Sequence, residues 1–191
     1  MEELKLQIEK YIQGRIDIEW KEFSSKLSVH TASKREIVFR QTDICDSVIY
    51  ILEGIAASEY NEENKFIISR FFRPGNLCSN MTSAVSKTIE SDNVIAITNL
   101  KYVAMPFDYF MKLYLHSDGI GVFLRKKILE HLIEAKNIIS IKTSSVTEVQ
   151  YSFMEENYPD VIAKTPSKYI AAFIGITPEA LSRFLKQRIS S

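Results

Sequence analysis

Glu179, Ser182, Arg183 and Lys186 fall three, four and seven residues apart near the C-terminal end of this 191-residue chain. At 100° per residue they share one helix face, and Leu181, Phe184 and Leu185 take the opposite one. A face holding a guanidinium, a carboxylate, a hydroxyl and an ammonium suits recognition rather than turnover. Arginine bonds guanine bidentately and a carboxylate accepts from the cytosine amino group, whereas serine and lysine more readily touch phosphate or sugar. Double-stranded DNA is the partner such a face fits.

That face needs a rigid mount, and the preceding residues describe one. Ile170 and Ile174 make a helical stripe, Ala171 is small enough for a second helix to approach, and Gly175 can end the first helix at positive φ. Thr177 then suits the N-cap and Pro178 the first helical position, where a missing N–H is harmless. Two helices joined by a tight glycine turn are the frame of a helix-turn-helix, and equally of an αα-hairpin packed in a core. The agreement of Ala171, Gly175, Thr177 and the apolar set favours the first. Thr177, Pro178, Glu179, Ser182, Arg183 and Lys186, with Lys168 on the helix before, form the candidate DNA-contact set.

Charge supports this placement. The chain balances 24 basic against 24 acidic residues, which argues against indiscriminate coating of nucleic acid. From Lys164 onward, however, Lys164, Lys168, Arg183, Lys186 and Arg188 face only Glu179, so that stretch carries +4 and the remainder −4. With 46% hydrophobic residues, proper cores can form. No signal-peptide pattern or long apolar run is present, so a cytoplasmic protein without membrane contact is expected. Cys45 and Cys78 are too few for a metal or iron–sulfur site and read as buried free thiols. His30, His116 and His131 lack ligand spacing, so no metal and no cofactor are expected. Asp43 with Asp46, and Glu155 with Glu156, are paired acids in turn-like or helix-surface settings; with no phosphate loop or catalytic triad in view, an enzyme is not expected.

The hydrophobic period divides the chain. Leu4, Ile8 and Ile12, then Trp20, Phe23 and Leu27, predict helices up to about Ser28. Between Arg35 and Pro106 come short β-prone runs, "REIVFR", "SVIYILEG", "IAASEY", "KFIISRFF", "NVIAITN" and "KYVAMP", which predict a small sandwich or roll. "FDYFMKLYL" is a short helix, and a long one spans about Ser117 to Ile141. Its stripe Ile128, Leu132, Ala135 and Ile139, flanked by Val122, Leu129 and Ile133, provides one surface for the β-roll and one for a twin helix. Residues 143–191 then form a second unit, opened by a helix with Val146, Val149 and Phe153 inward that Pro159 stops.

This order resembles the Crp/Fnr superfamily of bacterial transcription regulators over nearly the whole chain. "DSVIYILEGIAASEY" is similar to its strand–glycine–strand unit around Gly54, "FFRPGNLC" to the approach to its phosphate cassette, and "YPDVIAKTPSKYIAAFIGITPEALSRFLKQ" to its DNA-binding end. The resemblance implies an α+β fold: an N-terminal double-stranded β-helix, or jelly-roll-like β-roll, with flanking helices in residues 1–142, a central dimerisation helix, and a helix-turn-helix in 143–191. It is nearest to variants common in Bacteroidetes-type bacteria, in which the β-wing after the recognition helix is missing.

By the same resemblance the chain is a homodimer on a palindromic DNA site, with RNA polymerase as a further partner. Glu179 and Arg183 match base-reading positions, and Pro178 stands where a basic contact is common, which implies a different base code. In cyclic-nucleotide-binding members a glutamate holds the ribose, and an arginine followed by a small hydroxyl residue holds the phosphate. Here the matching positions are Cys78 and Ser79, then Glu90 and Ser91. A carboxylate facing a phosphate is repulsive, so the expected regulator does not respond to cyclic AMP, and an effector, if there is one, is a small molecule of another kind. The competing reading is a ligand-binding or protein-interaction module in which the last two helices are structural.

Overall fold

A computed structural model of the chain describes residues 1–63 and 65–189, so Ser190 and Ser191 of the expected second unit lie outside the described residues. Two helices, α1 (Glu2–Ile12) and α2 (Asp17–Ser25), lead into β1 (Ser28–Ala32), β2 (Ile37–Phe39), β3 (Ser47–Glu53), β4 (Ala56–Glu62), β5 (Lys65–Phe72) and β6 (Leu77–Cys78). Then come α3 (Met81–Ser86), β7 (Asn93–Ala96) and β8 (Leu100–Pro106). The helical remainder is α4 (Phe107–His116), α5 (Ile120–Lys142), α6 (Thr147–Asn157), α7 (Pro159–Lys164), α8 (Ser167–Ile174) and α9 (Pro178–Ile189).

The strands make two antiparallel sheets in the orders β1-β8-β3-β6 and β2-β7-β4-β5, the two halves of the expected β-roll. Alternation along each strand assigns its side chains to layers. Ile49 and Ile51 of β3 enter the space between the sheets with Ala56, Phe72, Val94 and Ala96. Val48 and Tyr50 point outward, to a core shared with α1, α2, α4 and α5. The outer face of the second sheet is apolar too: Ile55, Ala57, Ile68, Phe71, Ile95 and Ile97 pack against Met154, Tyr158, Phe173 and Ile174 of the C-terminal helices. Because both faces of these strands are covered, they read as continuous apolar runs rather than strict alternations. Gly54 turns β3 into β4 at φ 89°, where an added Cβ would lie 2.2 Å from the carbonyl oxygen of Asn99. Only glycine fits there.

Several elements differ from the sequence expectation. β1 fills the stretch between the expected helical lead, which ends at about Ser28, and the β-prone runs from Arg35, and its hydrogen bonds come from β8, with Ser28 opposite Ala104. β6 and α3 were not anticipated. Pro159 starts α7 as well as ending α6, because the first helical position needs no N–H. α6 is rotated from its expected face: Gln150, Tyr151 and Met154 are buried, whereas Val146 and Val149 are about half exposed. α5 begins at Ile120 rather than Ser117, since Ser117 closes α4 and its hydroxyl accepts from the Gly121 N–H at 2.9 Å.

Candidate nucleic-acid interface

Six of the seven expected contact residues, all but Lys168, come together on one exposed surface. Gly175 ends α8 at φ 80°, with its N–H on the carbonyl of Ala171. The Thr177 hydroxyl accepts from the N–H of Ala180 at 3.2 Å, which caps α9. Leu181 is 1% exposed, and Phe184 and Leu185 pack partly beside it. Glu179, Ser182, Arg183 and Lys186 are exposed, with Thr177 and Pro178 at the same end. The Glu179 carboxyl is held below the usual range by its own backbone N–H, the Thr177 hydroxyl and the nearby Arg183 guanidinium. It therefore stands as an anion beside a cation at the start of the helix.

Two basic residues are drawn elsewhere. Arg188 turns back to α6, 3.2 Å from Glu148 and 2.8 Å from Glu155, so it braces α9 instead of extending the polar face. Lys168 is exposed, but its amine lies 4.7 Å from the centre of the Tyr169 ring and near Glu59 of β4.

The long helix shows distinct faces. Ile120, Phe123 and Leu124 are buried against the roll, Ile138 is buried toward the C-terminal helices, and Leu129, Leu132, Ile133 and Ile139 are 54–65% exposed. Of the expected stripe, Leu132 and Ile139 are open, Ala135 is half-buried and Ile128 packs on the first core. The uncovered strip is therefore centred nearer Leu129 and Ile133 than Ala135.

The expected effector residues do not share one cavity. Cys78 and Ser79 line a recess of about 300 Å³ between β6, α4 and α5, and Glu90 and Ser91 are not among its walls. The Ser79 hydroxyl donates to the carbonyl of Ser47 at 2.9 Å, and burial holds the Cys78 thiol protonated. Beside Glu90 and Ser91 the hydrogen-bonded acid is Asp92, which the sequence reading missed. Its carboxylate accepts from the hydroxyls of Ser58 at 2.7 Å, Ser91 at 2.9 Å and Ser69 at 3.4 Å. The Asn80 side chain donates to the Asp92 carbonyl at 3.1 Å.

A second unanticipated group joins the roll to the C-terminal helices. Arg70 of β5, 8% exposed, pairs with Glu134 of α5, whose other oxygen accepts from the Tyr158 hydroxyl at 2.5 Å. Arg73 lies over the Tyr158 ring and pairs with Asp160 at 3.2 Å. The Lys142 amine, pushed down to about 8 by burial, donates to the Ile68 carbonyl at 2.6 Å. An arginine between the apolar residues of the β-prone run "KFIISRFF" was the available signal, since a buried charge requires a partner. Among the described residues no group of three metal-ligating side chains forms, and no helix is long and apolar enough to cross a membrane.

Comparison with known proteins agrees with this architecture. Residues 29–117 match the family model of the cyclic nucleotide-binding domain. A search of curated proteins returns no sequence match. Among solved structures, Bradyrhizobium japonicum FixK2 superposes with a TM-score of 0.71 at 16% identity, over 86% of this chain and 85% of that one. The c-di-GMP responsive global regulator CLP of Xanthomonas campestris gives 0.66 at 14% identity, over 89% and 90%. A candidate Crp/Fnr-family regulator from Eubacterium rectale gives 0.68 at 14% identity, over 90% and 83%. Residues 29–117 are thus similar to the cyclic nucleotide-binding domain, and the chain shares its fold with these solved regulator structures.

Proposed function

We propose that this chain is a homodimeric, sequence-specific DNA-binding transcription regulator, with residues 1–142 as its effector-type and dimerising unit and 143–191 as its reading unit. The observation that carries the proposal is α9: it is capped by Thr177, anchored by the buried Leu181, and presents Glu179, Ser182, Arg183 and Lys186 outward. A helix held on one side and polar on the other is what major-groove reading needs. Arg183 reads a base and Lys186 supplies backbone attraction. Mobility shifts across a salt series test this assignment. Arg183→Ala is expected to lower affinity by about 1–3 kcal/mol and to relax preference at one base of each half-site. Lys186→Ala is expected to weaken all sequences alike and to reduce the salt slope by about one. An Arg183→Ala protein with unchanged affinity and base preference would return the helix pair to a purely structural role.

Cyclic AMP is not the effector in this proposal. Asp92 already occupies the hydroxyls of Ser58, Ser69 and Ser91, so a phosphate there would meet a fixed carboxylate. Calorimetry with cyclic AMP up to about 1 mM is expected to give no saturable heat. Micromolar binding would contradict the assignment of Asp92 as the resident anion.

A further inference from the structure

The recess between α4 and α5 lies on the outer face of the first sheet, where Leu77 and Val48 form its floor, and it is separate from the Asp92 cluster. We propose that it is a binding site for an uncharged, largely hydrocarbon small molecule. Its volume of about 300 Å³ is that of a small-ligand site. No acidic side chain, lysine or arginine lines it. Phe110 and Tyr114, both on its wall, stand near-parallel with ring centres 5.9 Å apart. Met81 and Met111 are flexible and polarisable, and thioethers adapt to irregular apolar shapes.

The polar groups on the walls exclude an anionic occupant. The Ser79 hydroxyl is committed to the Ser47 carbonyl. His131 is neutral at ordinary pH, because burial first and the Arg70 guanidinium second push it down to about 4. Arg70 itself is committed to Glu134 and to the His131 carbonyl. A carboxylate or phosphate entering the recess would lose water and meet no cation. A neutral molecule loses little, and the neutral His131 imidazole and the Tyr114 hydroxyl are the polar groups on the walls that can hydrogen-bond it.

This inference does not depend on the DNA reading and is tested without DNA. The full chain is titrated with the neutral fluorophore N-phenyl-1-naphthylamine, and saturable enhancement at one site per chain is expected. Met111→Trp and Ile128→Trp, each filling the recess from a different helix, are expected to weaken the probe about tenfold or more. Circular dichroism and melting identify whichever variant keeps the fold. Nonanol is expected to displace the probe, and nonanoate at equal concentration to leave it bound. Absence of saturable binding, insensitivity to both substitutions in folded protein, or equal displacement by nonanoate would overturn the proposal. So would binding that appears only on dilution to monomers, which would make a second copy of the chain the occupant.

Discussion

Leu132→Glu together with Ile139→Glu is expected to yield monomers and to weaken binding to a palindromic site by about two to four orders of magnitude, because two linked reading heads gain that much over one. Both side chains are 60% or more exposed on α5, and neither is needed to hold α5 to the roll, which Ile120, Phe123 and Leu124 do. Leu129 and Ile133 extend the same strip along the helix. A strip of large aliphatic side chains on a regular helix is the seam of a helix pair, and four carboxylates across a two-fold seam repel one another. Sedimentation should show the lost dimer, while the binding of an isolated half-site stays near that of the unmodified chain. Should the unmodified protein sediment as a monomer and still hold the palindrome tightly, α5 is not the dimer seam.

The second large effect lies in the core. Phe173→Ala is expected to destabilise the protein by about 3–5 kcal/mol, the range for truncating a buried phenylalanine. Its ring is 1% exposed, 5.3 Å from that of Phe71 on β5 and 6.0 Å from that of Tyr158. The cavity would open between the second sheet and α8, so both sides lose packing at once. Urea unfolding followed by circular dichroism and by tryptophan fluorescence measures it. Trp20 reports from the first core, whereas Phe173 belongs to the second. Coincident shifts of both probes are expected if the cores unfold as one unit. A shift below about 1 kcal/mol would mean that α8 is held chiefly by something other than this contact.

What could be read from the sequence follows the distance over which each signal acts. Thr177, Pro178 and Gly175 act within a few residues of themselves, and the turn between α8 and α9 stands where their chemistry put it. Gly54 was similarly legible as a turn, although the Asn99 carbonyl that excludes a side chain is distant in sequence. The strands from "SVIYILEG" to "KYVAMP" were visible because covering both faces makes them rich in β-branched and aromatic residues. β1 was not, because four of its five residues are exposed and only pairing with β8 makes it a strand. Asp92 was hidden for a related reason: its partners Ser58 and Ser69 come from β4 and β5, and no local pattern joins them. Glu90, two residues earlier, was the acid that the sequence analysis assigned to this place.

The apolar outer face of the second sheet bears on how such a protein can be recombined. A sensor module is portable between output modules only when the surface it leaves behind tolerates water. Here Ile55, Ala57, Ile68, Phe71, Ile95 and Ile97, each no more than 5% exposed, form that surface. Cutting the chain after Lys142 would uncover them together and strand Arg73 without Asp160. A chimera that keeps this roll must therefore bring a cover of matching shape or replace those six side chains. Inheritance of the two halves is bound by the same demand, so α8 and the second sheet should change in concert.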